Sequence, residues 1–181
     1  YIMETFGEEG KDVVTVSPTF EMYWVNCCIL GYHHCPVPYE PDMTIKIENI
    51  INAITENTRI VALLNPNNPI GNVYTQEEID QVIKKTKSVG AILIIDEAYH
   101  YFYPNTFLET ALKNDNVIIL RTFSKAFSIP ALRLGVVIAN PKIIHYINNA
   151  KLTFDVNSVA LLFGERLLDC PHILTDIIDA E

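Results

Sequence analysis

Five short blocks of Val, Ile and Leu constrain this chain more than any other feature of its sequence. They are Val13–Val16, Ile60–Leu64, Ala91–Ile95, Val117–Leu120 and Leu134–Ala139. Polar residues do not alternate through them. Each therefore reads as a strand buried on both faces, the condition of a parallel sheet covered by helices. Tyr32–Val37 reads as a further strand. Between the blocks lie amphipathic stretches. Thr75 with Glu78 forms a capping box ahead of Ile79, Val82 and Ile83, which predicts a helix from about Gln76 to Val89 that ends at Gly90. Met43–Glu56 and Pro141–Ala150 read as helices, and Val156–Cys170 as a longer one stopped by Pro171. Strand alternating with helix predicts an α/β fold, a three-layer α/β/α domain with a mainly parallel sheet. One connection departs from the alternation. The 13 residues Arg121–Arg133 barely allow a parallel crossover. Leu134–Ala139 is therefore expected to run antiparallel, starting at the rim where the parallel strands end.

Composition narrows the function classes. A chain of 181 residues buries about 70% of the surface its unfolded form exposes. With 49% hydrophobic and 19% charged residues, disorder is excluded. Thirteen basic against 22 acidic residues give a net charge of -9, which argues against nucleic acid or an anionic membrane as partner. The apolar blocks fall well short of the roughly 20 residues that span a bilayer. The first ten residues carry three Glu and no apolar core of a signal peptide. A cytoplasmic location is expected. Cys27, Cys28, Cys35 and Cys170 show no C-x-x-C spacing and read as buried, reduced thiols. His33 and His34 are adjacent on a strand and should point to opposite faces, so no metal site is expected there. The seven glycines offer no G-x-G-x-x-G phosphate loop.

The polar residues gather where an open α/β sheet binds its ligands, beyond the carboxyl ends of the strands. Ser17-Pro18-Thr19-Phe20 follows the first block and Asn65-Pro66-Asn67-Asn68-Pro69-Ile70-Gly71 the second. Asp96-Glu97-Ala98-Tyr99 follows the third and Arg121-Thr122-Phe123-Ser124-Lys125 the fourth. The antiparallel strand adds Arg133. An aromatic face suits a flat ring, and two hydroxyls with an Arg suit a phosphate. A Lys in an enclosed, partly apolar site near a second cation becomes an amine able to form a Schiff base. A carboxylate ending a buried strand suits a cationic ring nitrogen. Pyridoxal phosphate has all four matching parts.

These segments carry a family resemblance. Asn67-Asn68-Pro69-Ile70-Gly71, Asp96-Glu97-Ala98-Tyr99 and Thr122-Phe123-Ser124-Lys125-Ala126-Phe127, with Arg133 eight residues past the Lys, resemble the aspartate aminotransferase superfamily, and more narrowly its histidinol-phosphate aminotransferase branch. The resemblance implies a pyridoxal-phosphate enzyme with amino-acid and 2-oxo-acid substrates, working as a homodimer. By resemblance, Lys125 holds the cofactor covalently and, once displaced, moves the proton between substrate and cofactor. Asp96 pairs with the ring nitrogen, and Asn68 and Tyr99 bond the ring's phenolic oxygen. Phe20 stacks on the ring, and Thr122, Ser124 and Arg133 hold the phosphate. The chain departs from the family pattern at Ile70, usually Thr, and at Ala131, often Gly.

Family members are about twice this length, so residues 1–150 are expected to be the cofactor-binding large domain without its N-terminal part. Residues 151–181 are expected to be a helix leading toward a C-terminal small domain. The absent stretches would carry a phosphate-capping Gly turn, an Arg for the substrate carboxylate and a Tyr that reaches the partner's phosphate. Two other readings share the motifs: a decarboxylase or other lyase of a phosphorylated amino acid, and a catalytically silent binding or dimerisation domain. Met22, Tyr23 and Trp24 read as core, Arg121 as structural or surface, and Asn67 as a turn former.

Overall fold

The computed structural model describes residues 1–180. The five apolar blocks become β1 (Asp12–Ser17), β3 (Thr58–Leu64), β4 (Ile92–Asp96), β5 (Val117–Thr122) and β6 (Gly135–Ala139), and β2 is His33–Pro38. They form one sheet in the order β2-β1-β3-β4-β5-β6. Every neighbouring pair is parallel except β5 with β6, which is antiparallel. The short link from β5 to β6 is therefore a return, as its length required.

Period-two alternation splits the core into two layers. Val14, Val61, Leu63, Leu93, Ile95 and Ile119 face α3 (Ile47–Ala53), α4 (Gln76–Val89) and α5 (Leu108–Lys113). Their neighbours Val13, Ile60, Ala62, Ile94 and Ile118 face α1 (Ile2–Phe6), α2 (Met22–Leu30) and α6 (Pro141–Ala150). Both faces are covered, which is why the strands carry no polar alternation. The fold is the expected α/β/α sandwich.

Several helices differ from the sequence reading for local reasons. α4 matches it: the Thr75–Glu78 capping box forms, and Gly90 closes the helix in the left-handed region. α3 is shorter than 43–56. Asp42 accepts the Thr44 N–H, and Met43 sits at φ +63°, so residues 43–46 form a turn instead. α2 was not legible because its sequence, MYWVNCCIL, is apolar around most of its circumference. Residues 151–180 hold two helices, not one. α7 (Ser158–Leu168) begins on an Asn157 side-chain cap, and Pro171, expected as a stop, opens α8 (Pro171–Asp179). Proline suits that first turn, where its missing N–H is not needed. Glu181, the last residue of the expected segment, lies outside the described residues.

Met22 and Trp24 are exposed, not core, whereas Tyr23 is buried. Of the four cysteines only Cys27 is buried, because α2 turns the adjacent Cys28 to solvent. Among the described residues no helix is long and apolar enough to cross a membrane.

Candidate active site

Strand register brings the polar loops to one level. Leu64 pairs with Asp96, Asp96 with Leu120, and Thr122 with Gly135. The segments after β1, β3, β4 and β5 therefore leave the sheet at one rim, where β6 also begins. The rim encloses a cleft of about 450 Å³, within the roughly 300–1,000 Å³ of small-molecule sites. Phe20, Asp96, Thr122, Ser124, Lys125 and Arg133 line it.

Asp96 is the buried anion of the cleft. Strand alternation aims it to the same side as Ile94, toward α2. There the Tyr23 hydroxyl donates to Oδ2 at 2.8 Å, and the Ala98 N–H donates to Oδ1 at 3.0 Å. Burial pushes the Asp96 carboxyl above the usual carboxylate range, and Glu97 adds to this. The Tyr23 and Ala98 bonds and the Lys125 charge pull the other way. Burial, then the Asp96 charge, also raises the Tyr23 hydroxyl well above its ordinary value.

The remaining groups surround this carboxylate. The Lys125 amine stands 5.3 Å from the centre of the Tyr99 ring. Asn68 Nδ2 donates to the Tyr99 hydroxyl at 3.0 Å. Phe20 exposes its ring at the mouth. Thr122 Oγ1 accepts the Ser124 N–H at 3.1 Å and donates to the Leu134 carbonyl at 3.4 Å. Arg133 sits in the left-handed region at φ +52°, and Nη1 donates to the Pro130 carbonyl at 2.9 Å. Arg121 also reaches the cleft wall, but its guanidinium is committed to Glu97 at 2.9 and 3.0 Å.

This combination invites comparison with known proteins. The family model for "Aminotransferase class I and II" matches residues 1–169. The chain belongs to that family. Among curated relatives, it is similar to the histidinol-phosphate aminotransferase of Thermoanaerobacter sp. (strain X514), with 36% identity over 168 residues, 92% of this chain and 47% of that one. Among solved structures, it superposes on a Thermus thermophilus aspartate aminotransferase double mutant with a TM-score of 0.88 at 19% identity, covering 99% of this chain and 48% of that one. A Sinorhizobium meliloti histidinol-phosphate aminotransferase, solved in complex with pyridoxal-5'-phosphate, gives a TM-score of 0.86 at 24% identity, covering 97% and 48%. This aminotransferase-family chain thus has the fold of those enzymes and spans about half the length of the curated relatives it matches.

Of the eight residues singled out from the sequence, six line the cleft, and Asn68 and Tyr99 are joined beside it. The enclosure expected around Lys125 is not met within this chain. Lys125 is exposed, because the rim is the open end of the sheet and the described residues build no wall across it. Two further residues were missed. Asn67, read as a turn former, accepts from Thr19 Oγ1 at 2.7 Å and donates to the Pro18 carbonyl at 3.0 Å. It thereby laces the Phe20 loop to the Asn68 loop.

Tyr23, read as core, is buried but holds Asp96. The available signal was a Tyr hydroxyl entering a core that already contained an unpartnered strand-end carboxylate, since buried hydroxyls find partners. Tyr23→Phe in the cofactor-free full-length protein is expected to lower stability by about 1–3 kcal/mol, because Oδ2 loses its donor. The urea midpoint reads this directly. An unchanged midpoint would mean the bond contributes nothing net.

Proposed function

We propose that the full-length protein carrying this chain is a pyridoxal-phosphate-dependent aminotransferase. It moves an amino group between an amino acid or amino-phosphate and a 2-oxo acid, with histidinol phosphate and 2-oxoglutarate as the favoured pair. The single observation that carries this reading is one cleft lined by a buried carboxylate, an amine, a guanidinium, two hydroxyls and an exposed aromatic ring. That donor set fits the cofactor's cationic nitrogen, aldehyde, phosphate and flat ring. The favoured substrate pair rests on the relatives named histidinol-phosphate aminotransferase.

When bound, the cofactor supplies an electron sink for the carbanion formed at the substrate α-carbon. The chain's own residues do the rest. Asp96, buried and gripped by Tyr23, would keep the cofactor's ring nitrogen protonated, because a cation beside it would offset the cost of burying its charge. Tyr99 and Asn68, already bonded to each other, present donors to a ring oxygen. Lys125 would hold the aldehyde through its amine; once the substrate amine had displaced it, the freed Lys125 amine would carry the proton from the substrate α-carbon to the carbon that had borne the aldehyde. Arg133, with the Ser124 and Thr122 hydroxyls, would hold the phosphate and so keep the reacting end at Lys125.

Residues 1–150 form the cofactor-binding part in this reading, and α7 and α8 lead toward a further domain. A cytoplasmic homodimer completes it. The free cysteines among the described residues suit a reducing compartment. Phe154, Val159 and Leu162 expose an apolar surface suited to being covered.

Borohydride reduction of the full-length holoenzyme, then peptide mapping, tests the reading. The cofactor is expected on Lys125, and an amino acid is expected to yield its 2-oxo acid. Release of CO2 without a 2-oxo acid overturns transamination in favour of a lyase. Absence of any trapped cofactor leaves a silent binding domain.

A further inference from the structure

Three metal-ligating side chains converge at the opposite rim, where the strands begin. Asp12 opens β1, and its partner across the parallel ladder is His33, the first residue of edge strand β2. His34 turns away and meets Thr15 Oγ1 at 2.8 Å. Cys35, two residues on, returns to the side of His33. His33 Nδ1 stands 3.0 Å from Asp12 Oδ1 and 3.7 Å from Cys35 Sγ. All three ligand atoms lie within 4.8 Å of one another.

The nitrogen–sulfur spacing is that of two corners of a zinc tetrahedron, and the nitrogen–oxygen spacing is about 0.4 Å shorter than such a pair. A zinc ion with ordinary bond lengths to N, O and S holds nitrogen and oxygen about 3.4 Å apart, and nitrogen and sulfur about 3.6 Å apart. An Asp–His hydrogen bond accounts for the first distance, and the thiol makes only long contacts, 3.7 Å to His33 Nδ1 and 4.0 Å to the His33 carbonyl, which a shared cation would tighten. The carboxylate is also braced. Asn57 Nδ2 donates to Asp12 Oδ1 at 2.9 Å, and the Asn57 carbonyl accepts the Asp12 N–H at 3.2 Å. Such outer partners orient the ligands of metal sites. A mixed oxygen, nitrogen and sulfur set selects a borderline-soft cation over calcium or magnesium.

We propose that Asp12, His33 and Cys35 form a site for a zinc-like divalent cation that clamps edge strand β2 to β1. The fourth position belongs to water, because the His33 side chain is 72% exposed. Binding releases the thiol proton to solvent as the metal–sulfur bond forms. The five residue steps of β1 from Asp12 to Ser17, about 17 Å, separate this cation from the catalytic rim, so the site stands or falls independently of the aminotransferase reading. The adjacent histidines do not form a site between themselves. The site forms across the ladder instead.

The test uses the reduced full-length protein with Zn2+ or Co2+ as probe. One equivalent of Zn2+ is expected to survive dialysis, and Co2+ is expected to give the intense visible bands of a tetrahedral site. Cys35→Ser and His33→Ala lose that equivalent, and Asn57→Ala binds about 10–100-fold more weakly. In the unmodified protein, Zn2+ slows alkylation of Cys35 but not of exposed Cys28. That arm needs no variant to fold. The proposal is overturned if Cys35→Ser binds as the parent does, if the parent retains no cation, or if Zn2+ leaves Cys35 alkylation unchanged.

Discussion

Lys125→Ala in the full-length protein is expected to abolish borohydride-trapped cofactor at that position and to lower the transamination rate by at least about 10³-fold. Two losses combine in that number. The side chain is the nucleophile that would hold the cofactor, and it is the base that would carry the α-proton. A positioned proton carrier alone contributes about 10²–10⁴-fold. Lys125→Arg keeps the positive charge that Asp96 feels but removes the nucleophile, so it is expected to fail as badly. If the charge mattered more than the amine, the Arg variant would recover most of the activity. Lys125 is exposed here and packs no core, so both variants are expected to fold. A Lys125→Ala enzyme retaining a tenth of the parent rate would end the assignment of the amine as the reacting group.

The sequence exposed much of this site because its residues sit directly after strands. A strand end is legible as the point where an apolar run stops, and the sheet carries those points to one rim without needing contacts to be known. Asp96, Lys125 and Phe20 were found that way. Position alone could not find Tyr23. It lies on α2, which carries almost no amphipathic signal, and its role exists only because the Ile94–Asp96 side of β4 meets that helix. The Asp12–His33–Cys35 cluster was hidden for a related reason. Reading along the chain shows that adjacent histidines diverge, but only the β1–β2 register brings Asp12 opposite His33. Two of the helix starts that moved did so beside side-chain bonds, Asp42 to Thr44 and Asn157 to Ala160, which outweigh periodicity at an element's end. In each case pattern reported burial, and pairing across elements decided chemistry.

Arg121→Met is expected to destabilise the full-length protein by about 3–5 kcal/mol while leaving in place the groups proposed to bind the cofactor. Glu97 has no exposed side-chain surface, and Arg121 has 17%. The guanidinium meets Glu97 Oε2 through two nitrogens, at 2.9 and 3.0 Å. Thr106 Oγ1 and the Phe107 N–H supply the other donors to the Glu97 carboxylate. Removing the Arg strands a buried carboxylate, and breaking one partner of such a pair costs about that amount even where the intact pair contributes little net. The double variant Glu97→Gln with Arg121→Met is expected to regain most of the loss, since a neutral amide still accepts from Phe107 and buries no charge. A denaturation cycle over the four proteins reads this coupling. The same experiment separates the two arginines of the cleft. Arg121 is spent on Glu97 and governs stability. Arg133, whose one side-chain bond among the described residues goes to the Pro130 carbonyl, has further donors for the proposed phosphate contact, so Arg133→Ala is expected to weaken cofactor binding with little change in midpoint. If Arg121→Met instead released the cofactor without moving the midpoint, the roles of the two arginines would be reversed, and the phosphate would sit nearer β5 than the start of β6.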